Sequence, residues 1–282
     1  MKVLVTGAKG MLGRSLMGRL TVQQCLGVDI DDFDIADACA TDKAIKEFRP
    51  EVVIHCAAVT AVDDCQTKVD LAFGANAVGS ANLAAACHRY GSRLIAISTD
   101  YVFSGELDRP YHEFDSPGPL NVYGASKLAG EIAVRTLCPN HLIVRIGWLY
   151  GPGGPSFVHN MLRLGAAADT DPVKVVNDQL GNPTAASAVA DHLAMLLTIP
   201  LAGTIHLTCE GQASWYELAR EIFRIKGFKR LVVPCTTADF PRPAARPANS
   251  RLDNMVLRLQ GLRPMPHWRD ALEAFLGEYP DG

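Results

Sequence analysis

The stretch VLVTGAKGMLG, Val3–Gly13, decides the fold class. Gly7, Gly10 and Gly13 are three residues apart, between a short apolar run typical of a strand and a segment with helical spacing. In such a turn the first glycine permits the tight bend, the second lets backbone approach a pyrophosphate, and the third lets the helix pack close to the sheet. The N–H groups of the helix N-terminus then attract phosphates. The stretch predicts a dinucleotide-binding turn at the start of an α/β sheet.

The first 150 residues alternate strand and helix patterns. The strand runs are continuously apolar, as expected for strands covered by helices on both faces. Strands separated by helices imply right-handed crossovers and a parallel sheet. We therefore predict an α/β fold with a Rossmann-type doubly wound parallel sheet. The predicted strands are 2–6, 25–30, 51–57, 93–98 and 141–147, and the predicted helices are 11–20, 41–48 (capped by Thr41), 69–91 (closed by Gly91) and 122–137.

The pattern loosens after residue 150, which predicts two domains. Residues 1–150 form the dinucleotide-binding domain, and residues 151–282 form a smaller α/β domain that mainly binds substrate, with part of this later chain returning to the first domain. Residues 234–254 are rich in proline and show no periodicity, which predicts a long functional or disordered loop. The later patterns predict helices at 156–168, 186–197, 214–227 (opened by Ser214) and 267–279, and strands at 172–178 and 203–208.

Composition and charge exclude several classes of protein. The 282 residues carry a net charge of −3, but nine Lys or Arg face two Asp between residues 226 and 269. One basic segment on an acidic protein fits a small anionic ligand better than nucleic acid, and a solvated surface explains it equally well. There is no signal-peptide pattern and no apolar run of about 18 residues. The eight cysteines form no C-x-x-C pair, so we expect a cytoplasmic protein without membrane segments or a required metal.

An acidic residue at the end of the second predicted strand bears on the choice of cofactor. A carboxylate at Asp29 can accept hydrogen bonds from a ribose and would repel a 2′-phosphate. This favours NADH over NADPH. Lys9 and Arg14 can offset the repulsion, so NADPH stays open.

Four further residues are expected to line the cofactor. Asp34 and Ile35 lie where the chain enters the next helix and can flank an adenine. Ala57 and Ala58 follow the third predicted strand, and their small side chains let a cofactor approach the carboxyl end of the sheet, where ligands bind in open α/β folds.

A phenol and an amine stand one helical turn apart at Tyr123 and Lys127. At i and i+4 they share one face of the predicted helix. A free phenol has a pKa near 10, and a neighbouring ammonium is expected to lower that pKa and to make the pair an acid–base catalyst. Thr99, at the end of the fourth predicted strand, can hold a substrate carbonyl in line.

These motifs resemble the dTDP-4-dehydrorhamnose reductase family of the extended short-chain dehydrogenase/reductases. The resemblance implies that Tyr123 donates a proton, Lys127 assists it and Thr99 polarises the carbonyl, and that Thr99, Asp100 and Trp148 touch a dTDP-sugar. It also implies that an NADH or NADPH cofactor is lined by Gly10, Met11, Leu12, Asp29, Asp34, Ile35, Ala58, Val59 and Thr60. The segments that carry the resemblance run in the family's order: AAVTAVDDCQ (57–66), STDYVFSG (98–105), PLNVYGASKLAGE (119–131), RIGWLYG (145–151), NDQLGNPTAASAVAD (177–191) and RPANSRLD (246–253).

The resemblance implies reduction of dTDP-4-dehydro-6-deoxy-L-mannose to dTDP-L-rhamnose. Related dehydratases resemble one another in a Thr-Asp-Glu triplet, and Tyr101 stands in the place of that glutamate. A reductase of another dTDP-4-keto-6-deoxy sugar remains open, as does a non-catalytic subunit similar to the regulatory subunit of methionine adenosyltransferase. A homodimer is the candidate assembly.

The Pro-rich loop supplies cations for the diphosphate of such a substrate. Arg is suited to bidentate phosphate contacts. We expect Arg246 to bind the substrate, whereas Arg242 is equally compatible with a solvated surface position.

Overall fold

A computed structural model describes residues 1–278, and its centre is a six-stranded parallel sheet. The strand order is β10-β5-β4-β3-β1-β2, and every neighbouring pair in it is parallel. The predicted doubly wound parallel sheet is confirmed. Its strands are β1 (Lys2–Thr6), β2 (Gln24–Val28), β3 (Val52–His55), β4 (Arg93–Thr99), β5 (His141–Ile146) and, from the later chain, β10 (Gly203–His206).

Helices cover both faces of the sheet, which explains the continuously apolar strands. On β1, Val3 and Val5 join the core on one face, and Leu4 between them joins the core on the other. No helix in the described part of the chain is long and apolar enough to cross a membrane. The helices are α1 (Met11–Met17), α2 (Ala38–Phe48), α3 (Val62–Thr67), α4 (Val69–Phe73), α5 (Ser80–Tyr90), α6 (Val122–Leu137), α7 (Phe157–Ala166), α8 (Ala186–Leu196), α9 (Trp215–Lys226), α10 (Met255–Leu259) and α11 (Trp268–Glu278).

Two predictions about the early helices are wrong. The second helix is capped by Asp37, whose carboxylate accepts the N–H groups of Cys39 and Ala40. Thr41 lies inside that helix, where its buried hydroxyl donates to the carbonyl of Ile35. The predicted helix 69–91 is divided into α4 and α5 by a π-helical segment at 74–79, although Gly91 does close it, with φ of 75°.

Short strands pair with one another in the later chain. These are β6 (Leu149–Tyr150), β7 (Val173–Val176), β8 (Leu180–Gly181), β9 (Thr184–Ala185), β11 (Ala213–Ser214) and β12 (Val232–Cys235). They pair as β12–β7, β11–β8 and β6–β9, while β10 returns to the main sheet beside β5. The domain boundary at residue 150 stays a prediction. Tyr279, the last residue of the predicted closing helix, lies outside the described residues.

The predicted loop at 234–254 is more ordered than its composition indicates. It begins within β12 and contains a 3-10 turn at 237–239. A bridge pairs Leu252 with Tyr111, and another pairs Asn249 with Leu180. These bridges fix the loop against both halves of the chain.

Candidate active site

A cleft lies at the carboxyl ends of the central strands, as two adjoining cavities of about 510 and 530 Å³. Both are lined by Gly7, Gly10, Cys56 and Ala58, so the two cavities meet at the glycine turn. The other predicted site residues are divided between the two cavities. The first cavity is lined by Met11, Leu12, Gly13, Thr60, Thr99, Asp100, Tyr123, Lys127 and Trp148, and the second by Asp29, Asp34, Ile35, Ala57 and Val59.

The glycine turn has the close contacts that its spacing predicts. Gly7 has φ of 68°, and a Cβ there would lie 2.6 Å from the backbone nitrogen of Ala57. A Cβ on Gly13 would overlap the carbonyl oxygen of Gly7. Gly10 caps α1 and leaves that end without a side-chain cap. Backbone therefore leaves no room for a side chain at Gly7 or Gly13, as expected for the glycine turn of a dinucleotide-binding fold.

The second cavity ends at a carboxylate. Asp29 accepts hydrogen bonds from the backbone N–H groups of Lys9 at 2.8 Å and Ile30 at 2.9 Å. The Lys9 ammonium turns to Asp31, at 2.5 Å. Each carboxylate oxygen of Asp29 can accept further hydrogen bonds, so the group remains able to bind a ribose hydroxyl.

Local capping places the catalytic candidates. Asn121 caps α6 by accepting the N–H of Gly124 at 2.9 Å, so Tyr123 lies in the first turn of that helix. Thr99 ends β4 and accepts the N–H of Tyr101 at 3.2 Å. Lys127, one turn further on, donates to the carbonyl of Ile97 at 2.7 Å. The structure thus brings Thr99, Tyr123 and Lys127 to one cavity.

The proton of Tyr123 is held more tightly than its neighbour Lys127 led us to expect. Burial raises the pKa of the phenol, and hydrogen bonding with Thr99 only partly opposes this. The net pKa therefore lies above the ordinary value of a phenol, contrary to the predicted lowering, because the effect of burial is the largest. The phenol is therefore protonated at neutral pH, which is the state that a proton donor needs.

Lys127 itself titrates close to the physiological range. Burial lowers the pKa of its ammonium to about 8, and the carboxylate of Glu131 opposes that shift. At neutral pH the ammonium is largely charged.

We expect kcat/KM for carbonyl reduction to fall tenfold per pH unit above about pH 8. The charged form of Lys127 is lost as the pH rises through its pKa, and kcat/KM reports groups of the free enzyme. A Lys127→Arg variant keeps its charge and should show no such decline. A wild-type profile that stays level to pH 10 would contradict this assignment.

Asp100 offers an acceptor beside the catalytic candidates. Burial raises the pKa of its carboxyl to about 6. Its Oδ1 accepts from the Thr99 hydroxyl at 3.0 Å, and the Ser250 hydroxyl also favours the ionised carboxyl. A Cβ on Gly147 would lie 3.1 Å from this carboxyl. Asp100 also lines the first cavity, which supports its predicted contact with a sugar.

Trp148 lies in a stack of aromatic rings. Its backbone has φ of 47°, and its indole N–H donates to the hydroxyl of Ser250 at 3.1 Å. The ring of Trp215 stacks on it with centroids 3.4 Å apart. Trp215 and Phe157 also line the first cavity, and neither was predicted. Trp215 directly follows the helix cap at Ser214, but nothing in the local sequence indicates its contact with Trp148.

Arg246 does not itself line either cavity, but it contacts Tyr101, which lines the first, so the expected substrate contact stays a prediction. Its guanidinium binds both carboxylate oxygens of Asp63, at 2.5 and 2.9 Å. Arg242 lies 3.9 Å from the same carboxylate with its side chain 61% exposed. Asp63 is in α3, a helix that was not predicted, so this competing partner was missed.

Comparisons with known proteins agree with this geometry. A family model described as the RmlD substrate binding domain matches residues 1–280. A dTDP-4-dehydrorhamnose reductase from Streptomyces griseus is 45% identical over 278 residues, covering 95% of this chain and 91% of that protein. A dTDP-4-keto-6-deoxy-D-glucose reductase from Streptomyces niveus is 38% identical over 273 residues, covering 95% and 94%.

A solved structure agrees over the same length. The crystal structure of dTDP-4-dehydrorhamnose reductase from Bacillus anthracis in complex with NADP matches with a TM-score of 0.95 and 40% identity, covering 99% of both chains. Because the family model spans nearly the whole sequence, the protein belongs to the RmlD substrate binding domain family.

Proposed function

We propose that this protein reduces the 4-keto group of dTDP-4-dehydro-6-deoxy-L-mannose to give dTDP-L-rhamnose, using NADH or NADPH. The observation that carries this proposal is that Thr99, Tyr123 and Lys127 line one cavity, which opens at the glycine turn onto a second cavity with Asp29 at its end. The Streptomyces griseus dTDP-4-dehydrorhamnose reductase, aligned over 95% of this chain, and the family match of this chain support it.

The site residues supply the proton side of this reduction. A bound dihydronicotinamide would supply a hydride to C4 of the sugar. As negative charge develops on the C4 oxygen, the hydroxyls of Thr99 and Tyr123 orient and stabilise it. Tyr123 then donates its proton to that oxygen, and the ammonium of Lys127 stabilises the phenolate that remains. The phenol regains a proton from solvent before the next turnover.

The cofactor end favours NADH. Asp29 would accept hydrogen bonds from the adenosine ribose and would repel a 2′-phosphate. Lys9 is bound to Asp31 in an exposed ion pair, and such pairs are weak, so Lys9 can turn to a 2′-phosphate at little cost. We therefore propose that both cofactors are used and that NADH has the higher kcat/KM.

A second candidate is the reduction of another dTDP-4-keto-6-deoxy sugar, which the Streptomyces niveus relative favours. The test measures the oxidation of NADH and, separately, of NADPH. Each cofactor is assayed with dTDP-4-dehydro-6-deoxy-L-mannose and with dTDP-4-keto-6-deoxy-D-glucose. We expect the first substrate with NADH to be fastest. A faster reaction with the second substrate would favour the alternative, and cofactor binding without turnover on either would indicate a regulatory subunit.

A further inference from the structure

A buried carboxylate on α6 lies behind the catalytic candidates and has no part in the mechanism above. Glu131 is one helical turn beyond Lys127 and is 3% exposed. Its Oε1 accepts the hydroxyl of Ser98 at 2.6 Å, and Ser98 follows Ile97, the residue whose carbonyl holds the Lys127 ammonium. Consecutive residues of β4 thus hold consecutive turns of α6.

We infer that Glu131 is a positioning residue, whose buried carboxylate keeps the Lys127 ammonium charged and fixed at the end of β4. The catalytic consequence of this inference rests on the proposed reductase function. The electrostatic part concerns this chain alone and can be tested without substrate.

Glu131 is the carboxylate whose charge favours the ammonium form of Lys127 most. Burial raises the pKa of the Cys56 thiol to about 12, so the thiol is neutral. Burial and the charge of Lys127 lower the pKa of His55 to about 3, so the imidazole is neutral as well. Tyr123 is protonated, as argued above. Burial raises the pKa of Glu131, but hydrogen bonds from a buried guanidinium outweigh it and keep the carboxyl ionised.

Two arginines bind this carboxylate. Arg145 binds it through Nε at 2.9 Å and Nη2 at 2.8 Å, from β5, and its side chain is only 2% exposed. Arg135 binds Oε2 at 2.7 Å with its side chain 38% exposed. Without the carboxylate, the ammonium of Lys127 would lose the charge that opposes its desolvation. Without Arg135, the same carboxylate would be less neutralised and would favour the ammonium more.

The two changes therefore shift the titration of Lys127 in opposite directions. In protein with ¹³C-labelled lysine, the Cε signal of Lys127, identified by its loss in a Lys127→Arg variant, is followed against pH. We expect a midpoint near 8 in wild type, a midpoint lower by about one pH unit or more in Glu131→Gln, and a higher midpoint in Arg135→Gln. The alkaline decline of kcat/KM should move with each midpoint.

Glu131→Gln leaves Arg145 buried without its partner, so this variant can fail to fold. Arg135→Gln keeps the buried pair intact and is therefore the variant expected to fold. A Lys127 midpoint that is unmoved or lowered in folded Arg135→Gln, or unmoved in folded Glu131→Gln, overturns the inference, because a purely structural role for Glu131 would reduce kcat without moving the titration. An inactive wild type would refute the proposed function alone, since the NMR titration needs no turnover.

Discussion

Replacing Tyr123 by Phe should lower kcat by about 10²- to 10⁴-fold, the usual contribution of general acid catalysis, while the Kd for NADH stays within about twofold. The phenol is the group in the cavity that is protonated and adjoins Thr99. The ring of Tyr123 forms part of the wall of the first cavity, and phenylalanine keeps that ring. Steady-state kinetics with the keto sugar and fluorescence titration with NADH measure the two effects separately.

Tyr90→Phe is the matched control for this change. The Tyr90 hydroxyl binds the Asp42 carboxylate at 2.8 Å, and Tyr90 lines neither cavity. Its kcat should therefore equal that of wild type. If Tyr123→Phe kept wild-type turnover, the proton would have another source, and if it lost NADH binding, the hydroxyl would serve binding rather than catalysis.

Replacing Gly7 by Ala should abolish measurable cofactor binding and lower the free energy of unfolding by about 1–2 kcal/mol or more. The left-handed backbone at Gly7 is unfavourable for any residue with a Cβ, and the new Cβ would lie 2.6 Å from the backbone nitrogen of Ala57. The turn and the end of β3 would have to separate, which displaces the floor shared by both cavities. NADH titration and urea unfolding measure the two effects.

Gly18→Ala provides the comparison for Gly7→Ala. Gly18 ends α1 with φ of −79°, and a Cβ there would lie 3.7 Å from its nearest neighbour, the carbonyl oxygen of Arg14. This variant should bind NADH as wild type does. Equal affinity of the Gly7→Ala and Gly18→Ala variants for NADH would argue against a pyrophosphate at the glycine turn.

The architecture of the first half was predictable because burial on both faces leaves a clear pattern. β1 is apolar at every position from Val3 to Val5. This pattern is expected of a strand that is covered by helices on both faces. The helix starts were less predictable. Asp37 and Thr41 are both good caps by residue type, and the choice depends on tertiary contacts such as the bond from Thr41 to the carbonyl of Ile35.

The site residues could be predicted where a sequence motif lies at the end of a strand. They could not be predicted where segments that are distant in sequence come into contact. Thr99, Tyr123 and Lys127 follow from one strand and one helix that are adjacent in sequence. The stack of Trp215 on Trp148 joins residues of different elements, and the pairing of Arg246 with Asp63 depends on the unpredicted helix α3. Local patterns carry no information on either contact.

The central claim is that hydride reaches C4 of a dTDP-keto sugar in this cleft while Tyr123 supplies the proton. The most direct measurement is a reaction with NADH that carries deuterium at the transferable position, followed by NMR of the sugar product. Deuterium bound to C4 of dTDP-L-rhamnose is the predicted result. Two results would contradict the account. One is a product that carries deuterium at another carbon, and the other is a sugar that stays unreduced and unlabelled although the protein binds NADH.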